Sequence, residues 1–98
     1  MSVISSIALS GAAAASQRMD VAANNIANAQ TEGYQRQKVM ASQEDRGVVT
    51  TIGKEQEVGP DLAADLVQQK MASYQYKANL KTVQTESQMM GSLLDIKA

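Results

Sequence analysis

From Leu62 to Met90 the chain contains neither glycine nor proline. A run of that length fits one regular element, a helix, because nothing in it breaks the backbone or frees it to turn. Gly59-Pro60-Asp61 opens it: Pro60 ends what precedes, and Asp61 is a good N-cap. Asp65 would lie in the first turn, where the helix dipole favours a negative charge. A helix from Asp61 to about Ile96 would be about 52 Å long at the usual rise. Leu62, Leu66, Ser73, Tyr76, Leu80, Val83, Ser87, Met90 and Leu94 follow a heptad-like seam, interrupted by its two serines. Val67, Met71, Tyr74 and Ala78 lie beside it, so the apolar face is wider than a two-helix seam needs.

Something must cover that face, and the composition limits what it is. The chain has no Phe, no Trp and three Tyr, and much of its 44% hydrophobic content is alanine. A rounded core relies on aromatic bulk. This chain favours long helices that approach closely through small side chains. Ile4, Ala8, Ala12, Ala15, Met19, Ala22, Ile26 and Ala29 recur at spacings of four and three, which predicts a first helix from about Ser5 to Ala29, about 37 Å long. Ser2, Ser5 or Ser6 supplies its N-cap. Met1 to Gln17 carries no charged side chain, and the first Lys or Arg is Arg18. A cleaved signal peptide is therefore not expected, because the positively charged n-region is missing.

The first helix ends on an awkward note. Asn24, Asn25 and Asn28 fall within five positions, although asparagine competes with the backbone for hydrogen bonds. Each must face water or find a partner. Thr31-Glu32-Gly33 is a stop, with Gly33 free to take the left-handed conformation. Tyr34 would fold its ring back onto the helix end as a packing residue.

Residues 31–60 form the middle. Val39 and Met40 lie in one candidate strand, and the β-branched run Val48 to Ile52 lies in another. Glu44-Asp45-Arg46-Gly47 is turn-like. Two readings stay open, a small β-hairpin and a mobile loop. In either case the chain reverses. The fold class is then mainly α: two long terminal helices paired as an antiparallel helical hairpin or coiled coil, joined by an irregular segment or a small β-hairpin. We expect one domain over 1–98, with the N-terminal helix in 1–30 and the C-terminal helix in 61–98. Antiparallel pairing puts the asparagines opposite Leu62 to Tyr74. Gln68, Gln69 and Ser73 are then their expected partners, and the other reading leaves Asn24 and Asn28 in water. The second helix overhangs the first, and its apolar overhang predicts a homo-oligomer.

The remaining composition excludes much. A net charge of −1 with scattered Lys and Arg predicts no nucleic-acid partner. With no Cys and no His, the commonest metal ligands and the commonest general base are absent. No constellation of the remaining Asp, Glu, Lys, Tyr, Ser and Thr resembles a catalytic site, so no enzyme, no cofactor and no small-molecule substrate is expected.

Two stretches resemble a known family. Met19 to Gln37 reads MDVAANNIANAQTEGYQRQ, similar to the pattern LDVAANNIANANTxGYKRQ of the rod and hook proteins of the bacterial flagellum. Asp61 to Ala98 resembles the C-terminal pattern of the same family. By that resemblance Asn24, Asn25, Asn28, Gly33 and Tyr34 match the first signature. Tyr76, Ala78, Asn79, Lys81, Thr85, Met89, Gly91 and Leu94 match the second. The resemblance implies a structural subunit whose terminal helices assemble as a coiled coil. Its partners would be other axial subunits and the flagellar export apparatus. Its place would be the periplasm-spanning basal body, reached by export without a cleaved signal. Interaction residues would then be Asn24, Asn25, Asn28, Gly33, Tyr34, Tyr76, Asn79, Leu80, Val83, Met90 and Leu94. The middle is shorter than rod and hook proteins usually carry. That keeps a second reading open, a small cytoplasmic helical-hairpin adaptor or regulator paralogous to them.

Overall fold

A computed structural model describes residues 3–97 of the chain. The elements follow in the order α1 (Val3–Ala27), β1 (Gln35–Glu44), β2 (Gly47–Val58) and α2 (Leu62–Lys97). They form a flat rod with extents of 64 × 24 × 13 Å.

Helix α1 is the middle layer, and its sequence explains why. Small residues occupy two of its faces. One face carries Ser5, Ala8, Ala12, Ala15 and Ala22, all buried, and lies against α2. The helices run antiparallel, with Ser5 bonded to Glu86, Arg18 to Gln75 and Asn25 to Asp65. The other small face, with Ser10, Ala14, Val21 and again Asn25, receives the strands. Alanine can serve both sides because it brings two neighbours close without filling the space between them. Ile4 departs from the expected stripe: it is 61% exposed, beyond the edge of the packed face.

The middle is a regular antiparallel hairpin and no loop. Its strands are longer than the short apolar runs suggested, because α1 supplies the packing that an isolated ribbon lacks. Residues Asp45 and Arg46 form the two-residue turn between paired Glu44 and Gly47. Register is regular from Gln37↔Lys54 to that turn, and a bulge falls between Gln35 and Gln37. Gln37, Val39, Val48 and Thr50 share one face of the ribbon and are half-buried against α1. Thr50 Oγ1 donates to Gln17 of α1.

Helix α2 starts as expected. Asp61 accepts the Ala64 N–H on its side chain at 3.2 Å and the Asp65 N–H on its carbonyl at 3.0 Å. The face it turns inward differs from the expected seam. Asp65 and Ala72 are buried, and Gln69, Tyr76, Asn79, Val83 and Glu86 are half-buried. Of the expected seam, Tyr76 and Val83 belong there. Ser73 is half-buried at its margin, and Leu62, Leu66, Leu80, Ser87, Met90 and Leu94 are exposed. The reason is steric. An alanine face cannot reach around leucines, but it can meet Ala72 flush and seat the side chain of Asn79 on Gly11. A Cβ at Gly11 would stand 2.8 Å from Asn79 Oδ1.

Candidate interaction site

The densest chemistry lies where α1, β1 and α2 meet, and Asn25 is its centre. Its side chain is 2% exposed, yet every polar atom is used. Oδ1 accepts the Gln37 N–H at 2.8 Å and the Tyr34 hydroxyl at 3.0 Å. Nδ2 donates to the Gln37 carbonyl at 2.9 Å and to Asp65 Oδ1 at 3.4 Å. The amide thus pairs with both backbone groups of one strand residue, as a neighbouring strand would. The primary amide of Asn carries a donor and an acceptor side by side on one planar group, which matches the adjacent N–H and carbonyl of a strand residue. This is how α1 holds the edge of β1.

Asp65 faces the amide from α2. Its carboxylate is 2% exposed and receives a two-pronged contact from Arg36 of β1. Arg36 Nε donates to Oδ2 at 3.1 Å, and the second guanidinium nitrogen reaches Oδ1. A bidentate guanidinium–carboxylate pair is among the stronger side-chain interactions. The hydrogen bond to Asp65 raises the Arg36 pKa above its ordinary value, and burial opposes the rise in part. Because the shift is upward, the stability it adds is fully present below the ordinary guanidinium pKa and is lost only at still higher pH. Arg36 therefore brings no pH dependence near neutrality.

The other asparagines build the turn. Asn28 Nδ2 donates to the Asn24 carbonyl at 2.9 Å and to Asn24 Oδ1 at 2.6 Å, and the Thr31 hydroxyl donates to Asn28 Oδ1. Asn24 Nδ2 reaches Gln37 Oε1 at 3.3 Å. Gly33 has a φ of 73°, the left-handed value expected of the stop. The chain then delivers Tyr34, half-buried, back onto Asn25.

The partners of these amides differ from the expected ones. Gln68, Gln69 and Ser73 make none of the asparagine hydrogen bonds. Gln37, Tyr34 and Asp65 make them, because the hairpin comes between the end of α1 and solvent. Asp65 also does more than sit near a helix dipole. Of the remaining predicted residues, Tyr76, Asn79 and Val83 lie in the α1–α2 seam, with Asn79 Nδ2 turned to the Gln75 carbonyl at 2.9 Å. Leu80, Met90 and Leu94 lie outside it, on the surface.

Sequence reasoning missed Arg36 and Gly47. Arg36 sits inside the signature, three residues past Gly33, and its charge matches Asp65, the lone acid in the first turn of α2. That pairing was the available signal. Gly47 has a φ of 139°, and a Cβ there would collide with Ser10 Oγ. Ser10 Oγ accepts the Val48 N–H at 3.1 Å, a second point at which α1 holds a strand edge.

A small cleft of about 110 Å³ opens beside the centre, lined by Arg18, Asn25, Gln37, Lys38, Asp65 and Gln68 among others. Small-molecule sites are roughly 300 Å³ and upward, so this cleft fits ordered water. Among the described residues no group of His, Cys, Asp and Glu could hold a metal, and no helix is long and apolar enough to cross a membrane. The arrangement joins three elements into a helical hairpin with a strapped-on β-ribbon.

One family match covers the segment that builds this site. A family model described as flagella basal body rod protein matches residues 6–35. The matched segment runs along α1, through the asparagine turn, to the first residue of β1. The match supports membership of the flagellar basal body rod family, which is structural rather than enzymatic. No curated protein matches the chain.

Proposed function

We propose that this protein is a structural subunit of the bacterial flagellar basal body rod, or of the axial structure next to it, which self-assembles through its terminal helices. One observation carries the reading. The segment that matches the rod family is the same segment whose Asn25 and Tyr34 join the helices to the hairpin. On this reading the paired helices form one element of a coiled-coil wall. The leucines and methionines that α1 leaves uncovered, including Leu80, Met90 and Leu94, meet neighbouring subunits. Asn24, Asn28 and Gly33, at the other end, shape the surface offered to the next subunit. The subunit passes through the flagellar export apparatus without a cleaved signal and ends in the basal body.

A second reading is favoured by one feature. The middle segment is a single short ribbon that lays one face on α1 and forms no separate domain among the described residues. That suits a cytoplasmic helical-hairpin adaptor paralogous to rod proteins. Fractionation of tagged protein separates the two. Recovery in purified basal bodies supports the rod subunit, and confinement to the cytoplasm overturns it in favour of the adaptor.

A further inference from the structure

We propose that the outer face of α2 in one copy of this protein docks in the groove between α1 and β2 of the next copy, the two lying side by side. The proposal deepens the self-association reading above and rests on it.

Tyr74 stands two residues from buried Ala72, so it points away from α1. An unpartnered face runs along α2 on that side, where Val67, Met71 and Tyr74 are each exposed by half or more. Lys70, Tyr74, Lys77 and Lys81 follow at steps of four, three and four, and all are exposed. The face is thus an apolar strip with a row of cations on one margin. None of the three lysines forms an ion pair with a described residue.

The groove carries the opposite charge. Ala13, Ser16, Asp20, Val48 and Thr50 line it between α1 and β2. Asp20 stands at one end. Glu44 and Asp45, with Arg46 beside them, stand at the other, where the ribbon turn rests on Ser10. All three acids are exposed, and none forms an ion pair with a described residue.

The two surfaces match in length and in level. Lys70 to Lys81 spans about 16 Å, and Ser10 to Asp20 about 15 Å. Within the chain Asn25 meets Asp65, Gly11 meets Asn79 and Ser5 meets Glu86. On that register Lys70 is level with Asp20, Tyr74 with Ser16, and Lys81 with Ser10. A neighbour set alongside, the same way up and with no shift along the rod, brings Lys70 to Asp20 and Lys81 to the acidic turn. Tyr74 then enters the groove between them. Face and groove are different patches, so each added copy leaves one of each free. Such a contact continues from copy to copy and does not stop at two.

The chain lacks cysteine, so single introduced thiols report on this geometry. Ala13→Cys marks the groove, and Ala78→Cys marks the outer face at nearly the same level. The full-length variants are treated with a short bismaleimide, alone and mixed, and the untagged parent is followed by sedimentation over a range of concentrations. The expected result is a mixed Ala13→Cys–Ala78→Cys product, with no dimer of either variant alone. Lys70→Glu on the Ala78→Cys copy should lower the mixed product at least tenfold with helicity retained, and so should Asp20→Lys on the Ala13→Cys copy. The two reversals together should restore it. An Ala78→Cys dimer in place of the mixed product, or a mixed product indifferent to both reversals, would overturn the groove contact and leave self-association standing. A monomer at all concentrations with no cross-linked product would overturn both.

Discussion

The two ends of α2 present the same stripe under opposite conditions. At the start, Asp65 is buried among Asn25, Tyr34, Arg36 and Gln37. At the tip, Met90, Leu93 and Leu94 stand in water. The usual expectation places leucine inside and a carboxylate outside. Here the inside is narrow, because alanine and Gly11 bring α1 close, and a narrow interior admits Ala72 and flat amides more readily than branched side chains. Position inside this rod follows from what α1 can reach. The leucines are left over, and leftover apolar surface is a demand on neighbours.

The contrast can be broken or sharpened by mutation, beginning where the effect should be largest. Asp65→Ala leaves the Arg36 guanidinium unpaired in a mostly buried setting, and we expect a loss of about 3 kcal/mol, read by urea denaturation followed by circular dichroism. A loss under about 1 kcal/mol would place this pair with ordinary surface ion pairs. Asn25→Ala strands the Gln37 N–H and carbonyl and the Tyr34 hydroxyl. The expectation is about 2 kcal/mol, with faster hydrogen exchange along β1 and little change in the tip. Equal exchange in both regions would show that the amide does not hold the strand.

Gly47→Ala forces a β-carbon into a left-handed backbone and against Ser10, which we expect to cost about 2 kcal/mol. Ser10→Gly should recover the steric part only. Gly11→Ala meets the mobile end of Asn79, so about 1 kcal/mol is expected. The double variant with Asn79→Ala should recover most of it, and additive losses would mean that the two residues do not meet. Leu94→Asp should change the stability of the single chain by no more than about 0.5 kcal/mol. A larger loss in dilute protein would show that the tip already has a partner within the chain.

Much of this was readable. The Gly- and Pro-free run after Asp61 gave α2, its N-cap included, and the alanine spacing gave the inner face of α1 from Ala8 to Ala22. The asparagine cluster, out of place in a helix, marked the centre of the site. What could not be read was the face of α2. Its leucine pattern is the stronger hydrophobic signal and predicts the seam one position away from where it lies. Asp65, Asn79 and Glu86 carry no hydrophobic signal at all. Asn25 could not be singled out from Asn24 and Asn28 either, since their chemistry is identical and only their direction on the helix differs.

The sequence by itself determined the two helices, to within about two residues at the ends of α1, and that a small-residue helix must have close neighbours on it, while the middle stayed open between a hairpin and a loop. Those outcomes depend on local backbone preference and on spacing along one chain. The tertiary structure decided which of three asparagines became the hub, which face of α2 turned inward, and which apolar residues were left exposed. Those outcomes depend on β1 and α2 both reaching Asn25 near the end of α1, a meeting of segments far apart in the chain.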